Sequence, residues 1–122
     1  MVKKISFGQR VKELRLAKEI GLRELGRLVD ISAMHISNLE KERVMPSPEL
    51  VTKIAQTLDG DADELLHLAK LVDPKVVDVI QDNPYQAPSL LRSAKNLTPE
   101  QWEKLQKQAE KWLSKMKKVN NF

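Results

Sequence analysis

Over residues 22–46 the chain reads LRELGRLVDISAMHISNLEKERVMP, and its apolar positions change phase once. Leu25, Leu28 and Val29 recur with a helical period, Ile31 falls out of step, and Ile36 and Leu39 resume it. Two short helices meeting at a fixed corner bring all of these side chains to one apolar surface. Ser32 follows the corner, where its hydroxyl can accept from the free N–H groups that open the second helix, so it is the expected N-cap. That helix then covers residues 33–41. It buries Ile36, Leu39 and the edge of Glu40, and turns Ala33, Met34, Ser37, Asn38 and Lys41 outward.

The flanking segments carry matching signals. Residues 7–18, FGQRVKELRLAK, place Phe7, Val11, Leu14 and Ala17 on one stripe, and Gly21 breaks the helix before Leu22. Beyond the loop Val44-Met45-Pro46, Ser47 and Pro48 form a helix start, followed by Leu50, Val51, Ile54, Ala55 and Leu58 as a buried face. Gly60 ends that helix. Asp61, with Glu64 three residues later, opens a fifth helix in the manner of a capping box, carrying Leu65, Leu66, Leu68 and Ala69. The expected architecture is all-α, with five helices around one core over residues 1–71.

The 122 residues carry a net charge of +4, unevenly spread: residues 1–58 hold +4, residues 59–71 hold −3 and residues 72–122 hold +3. The basic first half suits a phosphate-facing surface. There is no Cys, which excludes disulfides and thiolate metal sites. The acidic run Asp59, Asp61, Asp63 imitates the first ligands of a calcium loop, but Glu64 stands where that loop needs Gly and Lys70 where it needs Glu, so no metal is expected. The opening MVKKISFGQR lacks the apolar run of a signal peptide, and no stretch approaches the roughly 20 apolar residues that span a bilayer. A cytoplasmic protein without a membrane partner is expected. With two His, His35 and His67, four scattered Gly and no phosphate-cradling loop, no catalytic residue and no cofactor is expected either.

The order LRELGRLVDIS, HISNLEKE, PSPELVTKIAQTLDGDADELLHLA resembles the phage-repressor and Cro family of helix-turn-helix regulators, also called the xenobiotic-response-element family, from Phe7 to about Leu71. The resemblance implies a DNA-binding domain that acts as a dimer on an operator. It also implies an ion pair between Arg15 and Glu40, which join the first helix to the recognition helix in relatives. The chain departs from the family pattern in having Leu22 for the usual Gln, Gly26 for Ala and Asp30 for Gly. Ala33 and Met34 stand where many relatives place polar base-reading side chains.

The resemblance places residues 33–41 in the major groove. Ala33, Met34, His35, Ser37 and Asn38 are then the candidate base contacts: Asn38 can pair with adenine through two hydrogen bonds, and Ala33 and Met34 suit thymine methyls. Arg10, Arg23, Ser32, Lys41 and Arg43 are candidate phosphate contacts.

Residues 72–122 read as a helical extension of about three helices. Asp73 and Pro74 open one that ends before Asn83, a second runs over residues 88–95, and Thr98 and Pro99 open a third, to about residue 118. Its apolar positions Trp102, Leu105, Ala109, Trp112 and Met116, with Leu113 alongside, step by three and four as in a heptad seam. Three uses of that seam stay open: packing on the chain itself, pairing with a second copy, or holding another protein. Dimerisation is the preferred one. The functional expectation is a dimeric repressor on a palindromic operator in double-stranded DNA. The competing class is a protein-interaction module, such as an antitoxin or adaptor, using the same helices on a protein partner.

Overall fold

A computed structural model of the protein describes residues 4–119. Eight helices follow one another: α1 (Phe7–Ala17), α2 (Leu22–Val29), α3 (Ala33–Glu40), α4 (Pro48–Thr57), α5 (Ala62–Leu68), α6 (Pro74–Asp82), α7 (Gln86–Ser93) and α8 (Pro99–Val119). No strand occurs among the described residues. The chain forms two compact units that divide between Asp78 and Val79, inside α6. Asp73, Pro74 and Lys75, at the start of α6, line a groove together with Pro48, Glu49 and Thr52 of α4.

In the first unit Phe7, Val11, Leu25, Val29, Ile36, Leu39, Val51, Ile54, Ala55, Leu58, Leu65 and Leu66 form one buried cluster. The expected membership of this core changes. Ala17 and Leu28 are exposed, while Gly8 and Arg15 are buried. The stripe of α1 thus runs through Gly8, Val11 and Arg15 instead of reaching Ala17. Gly8 is required by close approach. A Cβ there would lie 2.1 Å from the Glu40 carbonyl oxygen and 2.9 Å from that of Leu39, so α1 passes directly over the end of α3.

Side-chain caps open most of these helices. Ser6 and Gln9 form a reciprocal capping box on α1, with the Ser6 hydroxyl accepting from the Gln9 N–H at 3.2 Å and the Gln9 amide accepting from the Ser6 N–H at 3.1 Å. Ser32 accepts from the His35 N–H at 3.0 Å, and Ser47 from the Leu50 N–H at 3.2 Å. Asp61 accepts from Asp63 and Glu64. The box expected on α5 is only half made, because the Glu64 carboxylate turns to Arg10 on α1 at 2.6 Å.

The C-termini share one device. Each of the first five helices ends at a left-handed residue that is not glycine: Glu19, Asp30, Glu42, Asp59 and Lys70, with φ between 54° and 63°. The residue after each donates back five positions, Ile20 to Arg15 at 3.3 Å, Ile31 to Gly26 at 2.9 Å, Arg43 to Asn38 at 2.9 Å, Gly60 to Ala55 at 2.8 Å and Leu71 to Leu66 at 2.8 Å. These are Schellman closures, which need a left-handed residue and favour an apolar one next to it. Ile20, Ile31 and Leu71 supply that apolar residue and pack on the core. Gly60 is therefore not the left-handed stop of α4; Asp59 is, and Gly60 leaves room for the Leu14 side chain.

In the second unit, Thr98 and Gln101 form another reciprocal box that opens α8, at 3.0 and 3.2 Å. Helix α7 starts two residues before its expected position at Pro88. Proline is tolerated there because N–H groups in a first turn have no partner inside the helix. Ala94 is the only buried apolar residue of this unit among those described; Trp102, Leu105, Trp112, Leu113 and Met116 are all exposed.

Two substitutions test this account. Glu19→Gly should raise the unfolding free energy by about 1 kcal/mol, since an L side chain in the left-handed region costs about 1–2 kcal/mol and Gly returns part of that as added unfolded-state freedom. Gly8→Ala should lower it by about 1–3 kcal/mol through overpacking against backbone that cannot rotate away. Thermal and urea denaturation followed by circular dichroism measures both, and a neutral Gly8→Ala would show that α1 and α3 are not in close contact there.

Candidate nucleic-acid interface

Helix α3 is held from two sides. The Arg15 guanidinium donates to Glu40 through Nε, at 2.7 Å, and through Nη2, at 3.0 Å, and its Nη1 donates to the Ile20 carbonyl at 3.0 Å. Both side chains of the pair are more than nine-tenths buried. Hydrogen bonding to Glu40 is the main cause holding the Arg15 guanidinium above its ordinary value. The Gly8 N–H, near the start of α1, donates to the Glu42 carboxylate at 3.3 Å. The last turn of α3 and its left-handed exit are thus tied to α1.

The corner before α3 is equally determined. Asp30 takes φ 63° and ψ 44°. Gly26 packs under the turn, where a Cβ would meet the Ile31 carbonyl oxygen at 2.5 Å. An alanine, usual at this position in the relatives, would force this corner open.

So positioned, α3 presents one shallow groove lined by Leu22, Ala33, Met34, Ser37, Asn38, Lys41 and Arg43. Six of the ten candidate DNA contacts meet there. Met34 is 74% exposed. Ala33, Ser37 and Asn38 are half-buried, and Lys41 and Arg43 are exposed. Among the described residues, no carboxylate lines the groove. Lys41, Arg43 and Arg23 take part in no ion pair among the described residues, whereas Arg27 is bound to Glu24 at 2.6 Å. His35, Ser32 and Arg23 lie outside the lining. The Ser32 oxygen is already an acceptor for the helix, which leaves its O–H as a donor.

Arg10 is engaged by carboxylates. Its guanidinium binds Glu13 at 3.1 Å and Glu64 at 2.6 Å, with hydrogen bonding to Glu64 the main cause raising its pKa. A phosphate would have to displace two carboxylates. This placement could not be read from the sequence, since Arg10 and Glu64 are 54 positions apart. Leu22 is the lining residue that sequence reasoning passed over. Its signal was its position, at the first residue of α2, where relatives have a Gln directed at DNA.

Residues 8–71, just over half of the chain, match the family described as the helix-turn-helix domain. The chain belongs to the helix-turn-helix domain family. It is a DNA-binding regulator whose described residues form an all-α fold. A chain of the solved SinR protein/SinI protein complex is similar to it, at 21% identity over 89% of this chain and 98% of that one, with a TM-score of 0.48. No curated protein gives a significant match. Among the described residues of this helix-turn-helix protein, no helix is long and apolar enough to cross a membrane.

Removing one side of the Arg15–Glu40 pair leaves the other charge buried and unpaired, which costs about 3–5 kcal/mol. Arg15→Ala and Glu40→Ala should each lower the unfolding free energy by that amount, and the paired exchange Arg15→Met with Glu40→Leu should recover most of it. Single-variant losses below about 1 kcal/mol in urea titrations would place the pair among exposed ones.

Proposed function

We propose that this regulator binds a palindromic operator as a homodimer and represses transcription by occupying a promoter. The observation that supports the reading is the groove of α3: hydrogen-bonding groups of Ser37 and Asn38 beside an apolar patch, edged by Lys41 and Arg43, with no carboxylate among them. An N-capped helix clamped at both ends loses little conformational freedom when it enters a major groove. In this reading Ala33, Met34, His35, Ser37 and Asn38 face base edges. Arg23, Lys41 and Arg43 hold phosphates with the Ser32 hydroxyl, and Arg10 stays with its carboxylates.

The homodimer is supported by α8. Two tryptophans, two leucines and Met116 remain exposed on one helix whose own unit buries only Ala94 among the described apolar residues. Together with Ala109 they give a seam at three-four spacing, which a second copy of the same helix covers. Two recognition helices would then sit about 34 Å apart on half-sites one helical turn from each other, which makes the operator palindromic. A second reading, binding of a protein partner through the same groove, draws on the exposure of Met34, a side chain that adapts to protein surfaces.

Selection of duplexes from a random pool by the full chain separates the two readings. A palindromic consensus bound with steep salt dependence is expected; enrichment of no sequence would transfer the groove to a protein partner. On the selected duplex, Asn38→Ala should cost about 1–3 kcal/mol and relax preference at one position per half-site. Lys41→Ala and Arg43→Ala should weaken all sequences alike and each lower the salt slope by about one. In analytical ultracentrifugation the full chain should sediment as a dimer and the Trp102→Lys/Trp112→Lys variant as a monomer with weakened operator binding. A variant that remains dimeric would remove α8 from the interface.

A further inference from the structure

The groove has an apolar floor that hydrogen bonding to bases does not use. Leu22 stands at the first residue of α2, half-buried, with its side chain also packed against the core. Ala33 and Met34 open α3 on the other side of the corner. These three carry no hydrogen-bonding side-chain group able to read a base edge, apart from the weak acceptor sulfur of Met34. Asn38 lies one helical turn beyond Met34 on the same lining.

We propose that Leu22, Ala33 and Met34 form a seat for the C5-methyl group of a thymine, so that this regulator requires a T·A pair at a fixed place in each half-site. The inference rests on the DNA-binding reading above. Among the groups displayed in a major groove, the thymine methyl is the apolar one, and it gains from contact with apolar side chains. Charge complementarity commits the groove to a nucleic acid. Its edge carries Lys41 and Arg43, its lining holds no carboxylate among the described residues, and a methyl beside a phosphate backbone satisfies the floor and the edge together.

Met34 and Asn38 are separated by one turn, a rise of about 6 Å, so the base that Asn38 reads falls within about two base-pair steps of the seated methyl. With Asn38 on adenine, each half-site holds a short A·T element. Leu22 is the distinguishing residue. Where relatives direct a Gln at DNA, this chain supplies hydrocarbon that widens the patch of Ala33 and Met34 across the corner.

The test replaces thymine by deoxyuridine, one position at a time, in the duplex that the full chain selects; the exchange removes only the methyl. One position in each half-site should lose about fourfold in affinity, the factor for burying one methyl-sized group. Met34→Ala should reduce that thymine preference to about twofold or less while the other positions keep theirs. Leu22→Ala should act in the same direction, and because Leu22 also packs on the core, the more exposed Met34 provides the reading with the smaller folding effect. Uniform indifference to deoxyuridine would overturn the methyl seat and leave the DNA-binding reading intact. A methyl effect that neither variant changes would overturn it as well, placing the reader elsewhere. Selection of no duplex at all would overturn both.

Discussion

The bidentate bond between Arg15 and Glu40, at 2.7 and 3.0 Å, is the interaction on which the presentation of α3 depends. A helix of eight residues is marginal by itself in water, and tertiary packing has to hold it. Ile36 and Leu39 supply that packing on the core side. The ion pair adds direction. A planar guanidinium gripping both carboxylate oxygens fixes the end of α3 against α1, and its third bond, to the Ile20 carbonyl, ties in the connection to α2. Gly8 makes the same contact possible on the backbone side by letting α1 lie against the carbonyls of Leu39 and Glu40.

Around that clamp the first unit is built from short helices with well-made ends. Serine or aspartate caps the starts of α1, α3, α4 and α5, and left-handed closures stop the first five helices. None of the left-handed positions is glycine, so the closures carry backbone strain that their hydrogen bonds and the apolar residues after them offset. Ile20, Ile31 and Leu71 couple three of the five stops to the core. The helices consequently begin and end where the core requires, and the exposed face of α3 is a product of that order. Surface ion pairs such as Arg27–Glu24 add little, because water screens them.

The groove of α3 is chemically divided. Its edge is cationic, its far end polar at Ser37 and Asn38, and its near end apolar at Leu22, Ala33 and Met34. Relatives with polar side chains at the near end have hydrogen-bond donors and acceptors to spend on bases there. This chain has hydrocarbon instead. The second unit differs from the first in kind, with one long amphipathic helix, α8, and few buried side chains among those described.

The helical architecture was legible by itself in the apolar periodicity, and the corner was legible in Asp30 and Ser32, because these effects act within a few residues of one another. The N-caps at Ser32, Ser47 and Asp61 and the start of α8 at Thr98 follow from local hydrogen bonding for the same reason. Among contacts made across the fold, the Arg15–Glu40 pair followed from the family resemblance, while the others were not legible. Arg10 bonds to Glu64 from 54 positions away, which takes the carboxylate out of its own capping box and engages the arginine. Ala17 fits the stripe of α1 by spacing, yet it is exposed, because α1 crosses the end of α3 at Gly8 and Arg15. Leu22 joins Ala33 and Met34 only once the left-handed turn at Asp30 folds α2 back against α3. Local sequence determined which segments are helical and where they begin, since caps and periodicity are short-range forces. Tertiary structure alone decided which side chains share a surface, since that depends on how the helices cross.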